Sequence, residues 1–144
     1  MLIAKVADSQ LDKGRWCNRY FEKEDRQDVV LMYTDISRAY FNAPAPQYKY
    51  IEIPEEDIVP GEDKTKLCAR LKVAMYGTRD AALAWENHYS SFLQSLGFKR
   101  SLGCPNVFYH ESRAIRLVVH GDDFLTGGPA TEIRKFEQDM NNKY

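Results

Sequence analysis

The sequence predicts an α+β fold: an antiparallel sheet with helices packed on one of its faces. Three observations point there. A continuous β-rich run, Val29-Val30-Leu31-Met32-Tyr33-Thr34, ends at Asp35. An apolar stripe repeats at helical spacing between Arg79 and Leu96. Two short β-rich runs flank the charged turn Glu111-Ser112-Arg113, and an amphipathic segment follows Pro129.

Taken in order, residues 1–10 read as a short amphipathic helix with Leu2, Ile3, Val6 and Ala7 on one side. Residues 11–28 are polar and charged, with Trp16, Tyr20 and Phe21 as anchors. The run from Val29 to Thr34 reads as a central strand covered on both faces. Residues 36–43 form a turn or short helix, stopped by Pro44 and Pro46. Tyr48 to Ile53 alternates as a strand does. Residues 52–63 hold six acids and no base, with Pro54, Pro60 and Gly61, and read as an exposed loop. Leu67 to Val73 is a further strand. Between Arg79 and Leu96, Ala82, Trp85, Tyr89, Phe92, Leu93 and Leu96 make one helical stripe. Gly97 suits the end of that helix, with Phe98 packing after it. Residues 106–110 and 115–119 form a hairpin, and Gly121-Asp122-Asp123 is a tight turn before Phe124-Leu125-Thr126. Pro129 opens a last helix with Ile133, Phe136 and Met140 on one face.

A chain of 144 residues fits one domain of the usual ~100–200 residues. With 44% hydrophobic and 28% charged residues, it is neither a disordered tail nor a low-complexity linker. Cys17, Cys68 and Cys104 have no zinc-like spacing and read as free thiols of a reducing compartment. No stretch approaches the ~20 apolar residues of a membrane span, and the N-terminus lacks the pattern of a secretion signal. An intracellular, non-secreted protein without a membrane partner is expected. The net charge of −1 argues, as a sum, against a nucleic-acid partner. The sum hides unlike parts. Residues 64–116 carry nine basic residues against three acidic ones, and the rest of the chain is acidic. A basic segment beside an acidic cluster suits a polynucleotide partner, and a solvated charged surface as well.

Three carboxylates stand out. Asp35 ends a hydrophobic strand, and Asp122 and Asp123 sit in a turn between apolar runs. Carboxylates at the ends of buried strands are costly unless compensated. A divalent metal is a natural compensation, and Mg²⁺ takes a few carboxylates plus water and phosphates. Each motif alone has an ordinary reading: Gly-Asp-Asp is a common hairpin turn, and a strand-terminal Asp is often a helix cap.

Together with their neighbours these residues resemble a known family. Tyr33-Thr34-Asp35-Ile36-Ser37-Arg38-Ala39-Tyr40-Phe41-Asn42 is similar to the first catalytic motif of Ty1/copia-type reverse transcriptases. The segment from Ala69 through Tyr76-Gly77-Thr78-Arg79 to Trp85 resembles the second motif. Ser95-Leu96-Gly97-Phe98 followed by Cys104-Pro105-Asn106-Val107-Phe108 resembles a third. Val118-Val119-His120-Gly121-Asp122-Asp123-Phe124 stands where the family carries a Y-V-D-D hairpin. The four motifs occur in the family's order within residues 29–128.

The resemblance implies an RNA-directed DNA polymerase of a copia-type retrotransposon. It would transfer a nucleotide from a dNTP to a primer 3′-OH with two Mg²⁺ ions, or with Mn²⁺ in their place. Asp35, Asp122 and Asp123 would be the catalytic metal ligands. Tyr40, Tyr76, Gly77 and Arg79 would bind the nucleotide, with Tyr40 as a gate against a 2′-OH. Tyr40 also reads as a core aromatic, Arg79 as an exposed residue at a helix start and Trp85 as a core anchor. Ala82 replaces the family's Pro, Asp80 a common Gln, and His120-Gly121 the Tyr-Val before the paired acids.

The implied fold is a polymerase palm with fingers and thumb largely missing. Residues 1–28 would be a pre-motif helix and insertion, 29–128 the palm and 129–144 a C-terminal helix. Little activity is then expected of the chain alone. The implied partners are RNA/DNA template-primer, dNTPs and the rest of a polyprotein, in the cytoplasm within a virus-like particle or in the nucleus. Two other readings stand beside this one. One is a degenerate or co-opted nucleic-acid-binding remnant. The other is a fragment of a viral-type RNA-dependent RNA polymerase, suggested by Gly-Asp-Asp.

Overall fold

The computed structural model describes residues 2–7, as backbone, and residues 29–144. The polar segment 11–28, with Trp16, Cys17, Tyr20 and Phe21, lies outside the described residues. The chain forms two compact units, the described parts of residues 1–37 with 90–144, and residues 38–89.

The first unit is built on a six-stranded antiparallel sheet. Its strands are β1 (Leu2–Ala7), β2 (Val29–Ile36), β5 (Lys99–Arg100), β6 (Val107–His110), β7 (Ile115–His120) and β8 (Asp123–Pro129). Their order across the sheet is β1-β2-β8-β7-β6-β5. Helix α2 (Ala130–Lys143) lies against β2 and β8 and buries Ile133, Phe136 and Met140, as its sequence spacing predicts. The α+β class and antiparallel sheet agree with the sequence expectation.

Two expectations about this unit are corrected. Residues 2–7 are a strand rather than a helix, paired from Leu2↔Ile36 to Ala7↔Leu31. So short a segment is a poor isolated helix, and the edge of β2 offers it a full ladder of backbone partners. Among the described residues, the β2 strand is covered on one face. Met32, Thr34 and Ile36 are buried, whereas Leu31 and Tyr33 are 46% and 44% exposed. Strand alternation decides this: successive side chains point to opposite faces, and α2 covers one of them.

Cross-strand pairing extends the buried face. Thr34 pairs with Phe124, Met32 with Thr126, Leu117 with Thr126, Val119 with Phe124, and Phe108 with Leu117. All of these side chains are buried. At the β6–β7 turn, the Arg113 guanidinium reaches Glu132 at 2.9 Å and Asp139 at 3.1 Å, tying the hairpin to α2.

The second unit holds two short strands, β3 (Tyr50–Ile51) and β4 (Ala69–Arg70), paired with each other in a separate sheet. The strands expected over 48–53 and 67–73 thus shrink to two residues each. Prolines and acids between them leave an exposed connection with turns at Glu55–Asp57 and Lys64–Lys66. Helix α1 (Ala81–Ser95) begins in this unit and ends in the first. It buries Ala81, Ala84, Trp85, Tyr89 and Leu93; Ala82 is exposed, so the stripe is shifted at its first turn.

The end of α1 is built as the sequence predicts. Gly97 takes φ 95°, its N–H reaches the Gln94 carbonyl at 2.9 Å, and the Phe98 N–H reaches that of Leu93 at 3.0 Å. This is a Schellman ending, which needs a left-handed residue.

Candidate active site

The three carboxylates lie at one end of the central strand pair of the first unit. β2 and β8 are antiparallel, and their register makes Asp35 and Asp123 direct partners. Asp122 occupies the two-residue loop between β7 and β8, where His120 pairs with Asp123. The Asp122 carbonyl accepts the Ile36 N–H at 3.3 Å, which fastens the loop to the end of β2. All three side chains are partly exposed.

Gly121 has φ 63°, and a Cβ there would meet nothing within 4 Å. Asp122, the second loop residue, does not share the positive φ. A tight hairpin with a left-handed first residue favours Gly at that place. The departure from the family's pattern at 121 therefore has a local backbone reason.

By strand alternation Tyr33, Asp35, Asp123 and Leu125 share the face that α2 leaves open. Like charges directly opposite each other destabilise a sheet, so the Asp35–Asp123 pairing calls for compensation. Part of it is local: the Tyr33 hydroxyl donates to Asp123 Oδ1. That bond to the Asp123 carboxylate, with smaller contributions from burial and the surrounding negative charges, pushes the Tyr33 phenol up to about 12. Sequence reading missed Tyr33. The signal was its position two residues before Asp35 in a strand.

The donor set suits a divalent cation in kind, since two paired carboxylates and an adjacent third are the hard oxygen ligands Mg²⁺ takes. Among the described residues, no three His, Cys, Asp or Glu side chains are gathered into one coordination shell. One Asp123 oxygen is engaged by Tyr33 instead.

The remaining candidates fall in the second unit. Tyr40 belongs to the 3₁₀ turn Ala39–Asn42, which opens with Arg38 at φ 55°. Its ring meets Tyr76 edge-on with centroids 4.4 Å apart, and Phe41 meets Tyr76 at 5.5 Å. Within this unit, backbone bonds from Ala74 to Ala43 (2.8 Å) and from Ala45 to Lys72 (3.1 Å) join the segment after Asn42 to the second motif. Gly77 takes φ 81° with open space where a Cβ would be. Arg79 is exposed just before α1. Asp80 forms an ion pair with Lys49, a partner no sequence pattern had indicated. The structure thus groups Asp35, Asp122 and Asp123 in one unit, and Tyr40 and Tyr76 in the other.

An antiparallel sheet that pairs a strand-terminal aspartate with an Asp-Asp hairpin fits the class to which sequence comparison assigns the chain. The family model for reverse transcriptase (RNA-dependent DNA polymerase) matches residues 23–144, and the chain belongs to that family. Its relatives narrow the assignment to the Ty1/copia type. The chain is 25% identical over 113 residues to the transposon Ty5-1 protein YCL074W of Saccharomyces cerevisiae, covering 76% of this chain and 36% of the yeast protein. It is 25% identical over 121 residues to the retrovirus-related Pol polyprotein from transposon TNT 1-94 of Nicotiana tabacum, covering 81% of this chain and 9% of that polyprotein.

Proposed function

We propose that the chain carries the polymerisation centre of a copia-type retrotransposon reverse transcriptase, adding dNTPs to a primer 3′-OH on an RNA or DNA template. The observation that carries this reading is the register that sets Asp35 against Asp123 beside the Asp122 turn. Asp35 and Asp122 would be the principal holders of Mg²⁺ (or Mn²⁺), with Asp123 as the third carboxylate. Bound there, the metal pair would acidify the attacking hydroxyl and steady the leaving pyrophosphate. Tyr40, braced by Tyr76, would present its ring to the sugar and disfavour a 2′-OH. Gly77 would allow close backbone approach to the nucleotide, and exposed Arg79 would meet phosphate.

The rest of a transposon polyprotein is the proposed partner, as both relatives are transposon proteins. An intracellular setting accords with the free, exposed thiols of Cys68 and Cys104. The match of the reverse transcriptase family model over residues 23–144 favours this reading over a viral-type RNA-polymerase fragment.

Primer extension on an RNA template with Mg²⁺ tests the proposal. Low dNTP incorporation is expected of this chain alone, and none in Asp122→Asn. Incorporation that persists in Asp122→Asn would overturn the carboxylate assignment. With Tyr40→Ala, rNTP use should rise; no change would remove the gate role.

A further inference from the structure

We propose that Tyr33 is the positioning residue of the carboxylate centre: its hydroxyl holds Asp123 Oδ1, so that Asp123 offers a divalent cation its other oxygen alone. This rests on the reading that Asp35, Asp122 and Asp123 bind the metal.

The register supplies the geometry. Asp123 pairs with Asp35 and Leu125 pairs with Tyr33, so Tyr33 and Asp123 are diagonal neighbours on the open face. Diagonal positions in an antiparallel pair lie ~7–8 Å apart, within reach of a long aromatic side chain but not of most others. The Tyr33 hydroxyl closes that gap and donates to Oδ1.

Two consequences follow. The bond gives one oxygen of Asp123 a partner, which eases the repulsion from Asp35 across the strand pair. It also fixes the rotation of the Asp123 carboxyl, leaving Oδ2 as the free donor. A carboxylate ligand oriented by an outer hydrogen bond is a common device at metal centres, and losing the outer partner typically costs ~10–100-fold in metal affinity. Tyr33 is 44% exposed and is not a core residue. Phenylalanine keeps the ring and deletes only the donor.

The test is Mn²⁺ binding to the 144-residue chain, followed by electron paramagnetic resonance, for the wild type, Tyr33→Phe, Asp123→Asn and the double variant, with thermal melting of each. Asp35→Asn reports whether the bound ion sits at the carboxylates. The expected result is Asp35-dependent binding that weakens about tenfold in Tyr33→Phe, with only a small fall in melting temperature from the loss of one exposed hydrogen bond. No further loss is expected when Tyr33→Phe is added to Asp123→Asn, as in a coupled pair. Asp35-dependent binding that is unaffected by Tyr33→Phe, or equally weakened by it in the Asp123→Asn background, would overturn the role of Tyr33 alone. Absence of Asp35-dependent binding in the wild type would overturn the metal reading and this proposal with it.

Discussion

The two faces of the β2–β8–β7 strands are made from the same segments of chain and have opposite characters. Phe124 is fully buried, and its neighbour Leu125 is 47% exposed; Val119 is buried, and Val118 is 46% exposed. The covered face is apolar except for Thr34 and Thr126, and α2 closes over it. The open face carries Tyr33, Asp35 and Asp123. Period-2 alternation lets one strand do both jobs, with core packing on one set of positions and exposed chemistry on the set between them. Charges that would be ruinous on the first set are tolerable on the second.

The largest effect should come from the covered face. Phe124→Ala removes a wholly buried ring and should cost about 3–5 kcal/mol of stability. Leu125→Ala, one residue on, should cost under about 1 kcal/mol, because much of that side chain is already in water. Urea denaturation of both variants makes the measurement, and similar losses would break the contrast between the faces. Gly97→Ala should come next. It forces a side chain onto φ 95° and puts a Cβ 2.9 Å from His110 Nε2, for a loss of about 1–3 kcal/mol in the same experiment.

A smaller effect depends on pH. Glu132 on α2 is held below the usual glutamate range, first by its hydrogen bond from Lys135 and then by Arg113, against an opposing desolvation contribution. Its depressed folded-state value means that the stability it contributes is present above the ordinary glutamate pKa of about 4.3. That contribution fades as pH falls through the folded value. Thermal melting between pH 6 and pH 3 (roughly this range brackets the carboxylates) should therefore show a gentler acid loss in Glu132→Gln. An unchanged acid slope would show that other carboxylates carry it.

Much of this was legible in the sequence where spacing alone decides the outcome. The helix after Pro129, the Gly97 ending and the Asp122 turn depend on periodicity, left-handed φ and loop length, which are local properties. The misreadings arose where a distant partner decides. Leu2–Ala7 became a strand because β2 had an open edge. Val29–Thr34 looked covered on both faces because Leu31 and Tyr33 are apolar enough to be core, and only the placement of α2 shows which face is closed. Of the candidate site, the three carboxylates were visible as motif residues. Their pairing, the bond from Tyr33 and the Lys49–Asp80 ion pair span long sequence separations, and no local pattern encodes them.

The sharpest test of the contrast lies in Asp35, since stability and chemistry should move in opposite directions there. Asp35 faces Asp123 directly across the antiparallel pair. Opposed like charges on adjacent strands destabilise a sheet. Asp35→Asn keeps the shape, removes one charge and leaves Tyr33 free to hold Asp123. The variant should therefore melt at or slightly above the temperature of the parent, while losing Mn²⁺ binding. A neutral-to-stabilising substitution that abolishes ligand binding identifies a residue retained at a cost to the fold. A fall in melting temperature would instead make Asp35 a structural residue, and the open face would then share the stabilising task of the covered one.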